Sequence, residues 1–144
     1  PTVALASSLA CALELAVENL PERSASVQKR NAELRAALCQ HPEVRINSPE
    51  NAIPHILNLS VRDVKGTVFQ RELDAHGACV SVKSACSSDG LPSRAVFAVS
   101  RDRRNALSSW RISLSHLTTE AEIQEFLRVF DVCCQQLTAA HGDR

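Results

Sequence analysis

The sequence predicts a single α/β or α+β domain, and three observations support this prediction. Segments with the 3.6-residue period of helices alternate along the chain with short segments whose apolar residues recur at every second position. The chain has 144 residues, of which 44% are hydrophobic, and this is enough for one core of ordinary size. No internal repeat or low-complexity linker divides it. We expect one domain over residues 1–137 and a frayed tail over 138–144.

The first two helices are predicted from an apolar stripe and an end signal. Apolar residues recur at helical spacing between Leu5 and Leu20. Pro21 followed by Glu22 is typical of the first turn of a second helix, which we expect to end near His41.

A third helix is predicted from about Gly66 to His76, with Val68, Phe69 and Leu73 facing inward. Gly77 is a suitable residue for its end. Shorter helical stretches are expected at 93–99 and 102–107.

Strands are predicted where apolar and polar residues alternate. In the clearest case Leu57, Leu59 and Val61 face the core, whereas Asn58 and Ser60 face the opposite side. The predicted strands are Val44–Ile46, Ile56–Val61, Cys79–Val82 and Trp110–Leu114.

The last helix has the strongest pattern. Thr119 and Glu122 have the spacing of a capping box, in which each side chain bonds the other residue's backbone amide. One apolar stripe follows, comprising Ile123, Phe126, Leu127, Phe130, Cys133 and Leu137.

Composition excludes several classes of protein. Sixteen basic residues balance 16 acidic ones, and aromatic residues are only 3%, so we expect neither nucleic acid nor a membrane surface as a partner. The opening segment contains Glu14 and Glu18 and lacks a basic leader, which argues against a signal peptide or a membrane span. Six cysteines without a secretory signal predict free thiols in the cytoplasm. Because the chain begins at Pro1 and has no Met, we expect a piece of a longer protein.

Cys86 is the strongest candidate for chemistry. It lies among small polar residues between Lys83 and Gly90, so we expect an accessible thiol whose ionisation the lysine favours. The alternative from composition alone is a loop cysteine without a role. Cys11 and Cys133 lie on helical faces and are interpreted as small core residues. The cysteine and histidine spacing matches no zinc motif, so we expect no metal.

Arg111 is the second candidate. It alternates with the core-facing residues of its strand, and a guanidinium there is suited to holding a carboxylate by two parallel hydrogen bonds. A solvated arginine at a sheet edge is the alternative, and the residues alone favour it.

Several segments together resemble the group I cysteine desulfurases, pyridoxal-phosphate enzymes of the class V aminotransferase family. Cys86 falls on the nucleophile of that family's Ser-Ser-Gly-Ser-Ala-Cys-Ser-Ser-Gly loop. Lys83 and Val82 depart from the loop, since the family usually has Gly and Ser there. The matching segments, in the family's order, are Pro42–Asn47, Ile56–Ser60, Val80–Ser88, Ser109–Leu114 and Thr118–Glu120.

The resemblance implies the small C-terminal domain of a fold-type I pyridoxal-phosphate enzyme, with a mostly antiparallel sheet packed against helices. It implies that Arg111 binds the α-carboxylate of L-cysteine and that Cys86 accepts sulfur as a persulfide, with release of L-alanine. The persulfide would pass to an iron–sulfur scaffold or a relay protein. Pyridoxal phosphate would be bound by a large domain outside this chain, so this part alone should be inactive, and the parent should be a homodimer.

Three alternatives remain open. The parent is a selenocysteine lyase or another class V relative, the domain only docks a scaffold and accepts sulfur, or Cys86 is a redox-sensing thiol.

Overall fold

The computed structural model describes residues 2–83 and 91–139, which form helices around a small sheet. The three strands pair antiparallel in the order β1-β2-β3. This combination confirms the predicted fold class. In chain order the elements are α1 (Val3–Glu18), α2 (Leu20–Leu38), β1 (Val44–Ile46), β2 (Ile56–Val61), α3 (Gly66–Ala75), α4 (Arg94–Ser100), α5 (Arg103–Ser108), β3 (Ser109–Ser113) and α6 (Glu120–Ala139).

The sheet has one apolar and one polar face because side chains alternate along each strand. Leu59 of β2 lies opposite Trp110 of β3, and both are fully buried on the apolar face. One residue along, Asn58 lies opposite Arg111 on the polar face. The predicted alternation in β2 is therefore confirmed. Ser60 shares the polar face but is buried, because α5 covers it.

The core lies between the apolar face of the sheet and helices α2, α3 and α6. Its centre is aromatic: Phe69 stacks on Trp110 with ring centroids 5.2 Å apart, and Phe130 lies 5.4 Å from Phe69. Burying a side chain of this size stabilises the fold by roughly 1.5–3 kcal/mol. The core thus fixes the position of β3, and with it the side chains on the opposite face of the sheet.

Two local contacts fix the ends of helices. The capping box is confirmed: the Thr119 amide donates to Glu122 Oε2 at 2.7 Å, and the Glu122 amide donates to Thr119 Oγ1 at 3.2 Å. Gly66, the first residue of α3, packs directly against the backbone of Ser109. A side chain at Gly66 would overlap the Ser109 carbonyl, so glycine permits α3 to approach β3 closely.

Several sequence predictions are wrong in detail. The predicted strand Cys79–Val82 reduces to one bridge at Ser81, because its neighbours in the chain do not follow the register of β3. Val68 is 41% exposed rather than inward, since α3 presents Phe69 and Leu73 to the core. Thr138, expected in the tail, lies within α6 and donates to the Cys134 carbonyl at 2.6 Å.

Helix α1 differs from the other long helices because none of its residues is buried. It contacts α2, and its apolar side chains, including Leu9 and Leu13, are exposed. Cys11 is therefore exposed, and the prediction that it is a core residue is wrong; Cys133, by contrast, is fully buried as predicted. No single described helix is long and apolar enough to cross a membrane. Helices α1 and α2 together have the length and composition of a membrane span, but the pair is bent by 59°.

Candidate substrate-binding site

A cavity of about 1030 Å³ lies on the polar face of the sheet. Arg45, Asn58 and Arg111 form its floor, one from each strand. Helix α4 and the turn that follows β1 form its walls. Arg111, the residue predicted to bind the substrate, thus lies in this cavity.

Arg111 is held in place by β3, and its guanidinium has no charge partner among residues 2–83 and 91–139. Its Nε is buried and makes no hydrogen bond, and no described residue forms a hydrogen bond or ion pair with the guanidinium. A buried N–H without a partner is costly, so this arrangement favours a ligand that supplies oxygen atoms. A carboxylate meets that need with two parallel hydrogen bonds.

The charges around the cavity also favour an anion. Arg45, Lys83, Arg94 and Arg111 line it, and no Asp or Glu of the described residues does so. One of these cations is partly neutralised, because Arg45 Nη1 lies 3.5 Å from Asp102 Oδ2. Clustered positive charge in a cleft raises the local concentration of anionic ligands.

A network of amide and hydroxyl groups supports the floor of the cavity. The Asn47 side-chain amide donates to Asn58 Oδ1 at 2.9 Å and to Ser60 Oγ at 2.8 Å. Asn105 Nδ2 donates to Asn47 Oδ1 at 2.8 Å, and Ser60 Oγ donates to the Asn105 carbonyl at 3.0 Å. The network joins the end of β1, β2 and α5, and so fixes Asn58 opposite Arg111.

Sequence analysis missed this network. Asn47 is named from the sequence only as the end of the matching segment Pro42–Asn47, and Asn105 is not singled out. The available signal was the pair Asn58 and Ser60, two polar residues on one face of a strand, which need partners if that face is covered.

The chain that leads to the predicted nucleophile is attached to the same strand as Arg111. The Ser81 amide donates to the Arg111 carbonyl at 3.1 Å, and the Arg111 amide donates to the Ser81 carbonyl at 2.7 Å. Lys83 and Leu91, on either side of residues 84–90, both line the cavity. Cys86 lies outside the described residues, so its role as the nucleophile stays a prediction.

The two buried cysteines of the described residues, Cys133 and Cys134, are not suited to act as the nucleophile in place of Cys86. Burial raises the pKa of Cys133 to about 11. Burial, with the nearby Glu43 carboxylate, raises the pKa of Cys134 to about 12. Both thiols therefore stay protonated near neutral pH and are poor nucleophiles. Cys39 and Cys79 are exposed but do not line the cavity.

Comparison with known proteins identifies the class to which this fold and site belong. Residues 1–126 match the family described as Aminotransferase class-V, and the chain belongs to this family. This confirms the resemblance at the level of the family.

Similar proteins within the family are cysteine desulfurases. The chain is 32% identical over 130 residues to the cysteine desulfurase IscS of Clostridium botulinum, covering 87% of this chain and 33% of that protein. It is 31% identical over 133 residues to an IscS-like cysteine desulfurase of Mycobacterium tuberculosis, covering 90% and 34%. A solved NifS-like protein is 30% identical with a TM-score of 0.72, over 85% of this chain and 31% of that one. The chain thus spans about a third of the length of the curated relatives it matches.

The described residues do not by themselves fit pyridoxal phosphate. That cofactor requires a lysine for its Schiff base and a partner for its ring nitrogen, and a carboxylate is the partner that stabilises the protonated nitrogen. Lys29 is 68% exposed beside Glu33, and Lys65 is exposed at the start of α3. Lys83 does line the cavity, but no described carboxylate accompanies it there. The described lining of the cavity, with four basic side chains and no carboxylate, therefore suits an anionic group such as a carboxylate.

Proposed function

We propose that this chain is the small C-terminal domain of a cysteine desulfurase, in which Arg111 binds the α-carboxylate of L-cysteine and Cys86 accepts the sulfur. The observation that carries the proposal is the Arg111 guanidinium on the floor of a cationic cavity, with a buried Nε that no described residue satisfies. The likeness to cysteine desulfurases over most of the chain supports the same substrate.

Arg111 binds the substrate rather than reacting with it. Its guanidinium presents N–H groups in a rigid fork that matches both oxygens of a carboxylate. The network around Asn47 and Asn58 holds the neighbouring strand, so the arginine is positioned before substrate arrives. Preorganised donors of this kind bind charge with little cost of rearrangement.

Cys86 is tied to the cavity by the length of the chain. It follows Lys83, a residue of the cavity lining, by three positions, and three residues span at most about 11 Å. In the proposed transfer the Cys86 thiolate attacks the sulfur of substrate cysteine and forms an S–S bond. The substrate's Cβ–S bond breaks, its electron pair stays on Cβ, and Cβ gains a proton to become the methyl group of L-alanine. Cys86 is left as a persulfide.

The remaining components of the reaction lie outside this chain in the proposal. Pyridoxal phosphate, bound by another part of the protein, supplies the electron sink for bond cleavage. The persulfide sulfur passes to an iron–sulfur scaffold or a relay protein, and the parent enzyme is a homodimer. The described cysteines are free thiols, which supports a reducing compartment such as the cytoplasm.

The proposal is tested by sulfur tracking in the full-length protein. The protein is incubated with pyridoxal phosphate and L-cysteine, and peptides are examined by mass spectrometry for one added sulfur while alanine is measured. We expect sulfur on Cys86, and loss of both sulfur and alanine in Cys86→Ser. Cys79→Ser, which removes an exposed thiol outside the cavity, is the matched control and should retain both.

Other outcomes would separate the alternatives. Alanine released by Cys86→Ser at the normal rate would make Cys86 a relay rather than the nucleophile. Turnover of selenocysteine but not cysteine would indicate a selenocysteine lyase. Absence of alanine and of added sulfur in the unmodified protein would overturn the desulfurase proposal.

A further inference from the structure

A group of side chains that can bind a metal ion lies away from the cavity. His41 follows α2, Glu43 immediately precedes β1, and Cys134 lies on α6. None of the three lines the cavity. One ligand atom from each, an imidazole nitrogen, a carboxylate oxygen and the thiol sulfur, lies within 4.8 Å of the other two.

The separations are close to those of a metal site. His41 Nδ1 lies 3.5 Å from Glu43 Oε1. Ligands at 2.0–2.3 Å from a tetrahedral zinc ion are about 3.3–3.6 Å apart, so this pair already has the required spacing. A shift of about 1 Å at the flexible Glu43 side chain or the thiol would bring all three atoms to tetrahedral distances.

The imidazole is also oriented for metal binding. Its other nitrogen, Nε2, lies 3.2 Å from Asp131 Oδ1. Histidines that bind metals commonly donate their second N–H to a carboxylate, which fixes the tautomer and leaves the first nitrogen free to bind. The edge-on contact with Phe130, at 5.1 Å and 82°, further restricts the ring.

The backbone around these ligands is fixed as well. The His41 carbonyl accepts from the Val44 amide at 3.0 Å, and the Glu43 carbonyl accepts from the Arg62 amide at 2.9 Å. Cys134 is held in the core, with 2% of its surface exposed. Two segments, the turn between α2 and β1 and helix α6, thus bring the three ligand atoms within 4.8 Å of one another.

We infer that His41, Glu43 and Cys134 bind one Zn²⁺ ion, which displaces the thiol proton of Cys134 to solvent, with Asp131 orienting His41. The mixture of imidazole nitrogen, thiolate sulfur and carboxylate oxygen is characteristic of zinc, and three protein ligands leave the fourth position for water. The ion would link α6 to the turn between α2 and β1. Sequence spacing predicted no metal because Glu43 and Cys134 are distant in the chain and belong to no short motif.

The inference is tested on the full-length protein by equilibrium dialysis against buffered Zn²⁺. We expect one tightly bound ion, with affinity at least tenfold lower in Cys134→Ala and in His41→Ala. Asp131→Asn should weaken binding about tenfold, since it removes the orienting carboxylate but no ligand. Cys133→Ala is the matched control, a buried neighbouring thiol outside the group, and should bind as the unmodified protein does.

Co²⁺ provides an independent readout that does not depend on activity. A thiolate–cobalt charge-transfer band should appear in the unmodified protein and disappear in Cys134→Ala. If Cys134→Ala fails to fold, Glu43→Gln, a change in a partly exposed turn, provides the comparison of affinities. The inference is overturned if no tight ion binds, if binding survives in these variants, or if Cys86→Ser rather than Cys134→Ala removes it.

Discussion

Ser81 and Arg111 are joined by a pair of backbone hydrogen bonds, 3.1 and 2.7 Å long, at the edge of β3. Both amides and both carbonyls of the pair are therefore satisfied, and the segment after α3 is fixed at one point beside the arginine. Residues 82 and 83 then pass along the cavity rim. In the proposed enzyme, the chain leading to the sulfur acceptor and the residue that binds the substrate carboxylate share one anchor.

Arg111→Lys tests the binding of the carboxylate. Lysine keeps the charge but loses the two-pronged geometry, and a charge-assisted hydrogen bond is worth about 1.5–3 kcal/mol. We expect KM for L-cysteine to rise about 10- to 150-fold, with a smaller change in kcat, in steady-state alanine assays of the full-length protein. Arg104→Lys, an exposed arginine outside the cavity, is the control. Equal KM values for Arg111→Lys and the unmodified protein would refute the role.

Asn47→Ala tests the network beneath the cavity. The change removes the partner of Asn58 Oδ1 and of Asn105 Nδ2, whereas Ser60 Oγ keeps its bond to the Asn105 carbonyl, and an unsatisfied buried polar group costs about 1–3 kcal/mol. We expect backbone amides of β1 and β2 to exchange hydrogen about 5- to 150-fold faster by mass spectrometry. Asn51→Ala, an exposed asparagine in the nearby turn, should leave the exchange rates unchanged. Unaltered protection in Asn47→Ala would show that the network does not support the sheet.

Gly66→Ala tests the contact between α3 and β3. Alanine usually stabilises a helix relative to glycine by about 0.5–1 kcal/mol, but here its methyl group overlaps the Ser109 carbonyl. Overpacking of this kind costs about 1–3 kcal/mol, so the net effect is destabilising. Hydrogen exchange in α3 and β3 should accelerate, whereas Thr67→Ala, an exposed change on the same helix, should not accelerate it. A slower exchange in Gly66→Ala would mean that the helix shifts without cost.

The capping box of α6 predicts a dependence on pH. The hydrogen bond from the Thr119 amide, followed by that from its hydroxyl, lowers the pKa of Glu122 below 4.5. A lowered folded-state pKa means that this stabilisation is present above the unfolded value and is lost as pH falls through the lower folded value.

The measurement compares synthetic peptides that span α6 and its cap, with Glu122 or with Glu122→Gln. Circular dichroism should show more helix for the Glu122 peptide at about pH 7, and the difference should shrink at about pH 2.5. Because both peptides contain the same other carboxylates, the difference between them at each pH reports on Glu122 alone. A difference that is unchanged on acidification would contradict the assignment.

The elements that could be predicted from the sequence are those set by local pattern. Ile56–Val61 was predicted with the correct bounds because strict alternation has one interpretation next to turn residues. The start of α6 was predicted because Thr119 and Glu122 interact within one turn. The family motifs added Arg111 as a substrate residue, and the structure places it in a cavity of suitable charge.

The features that could not be predicted depend on contacts between distant residues. The run Cys79–Val82 has strand composition, but only Ser81 meets the register of β3, and composition does not determine register. Asn47 and Asn105 bond across 58 positions, so neither shows its role locally. Cys11 lies on an apolar stripe like that of Cys133. Of these two helices, α6 packs its stripe into the core, whereas α1 has no buried residue.

Alternate residues of the same strand have different roles, because successive side chains lie on the core face and on the cavity face of the sheet. In β3, Trp110 and Ile112 belong to the core, whereas Arg111 between them lines the cavity. In the proposed enzyme, a change at Arg111 would therefore alter which substrate binds, while the packing of the core residues of β3 is preserved. This separation gives the domain room to diverge in substrate specificity during evolution without first rebuilding the interior on which its folding depends.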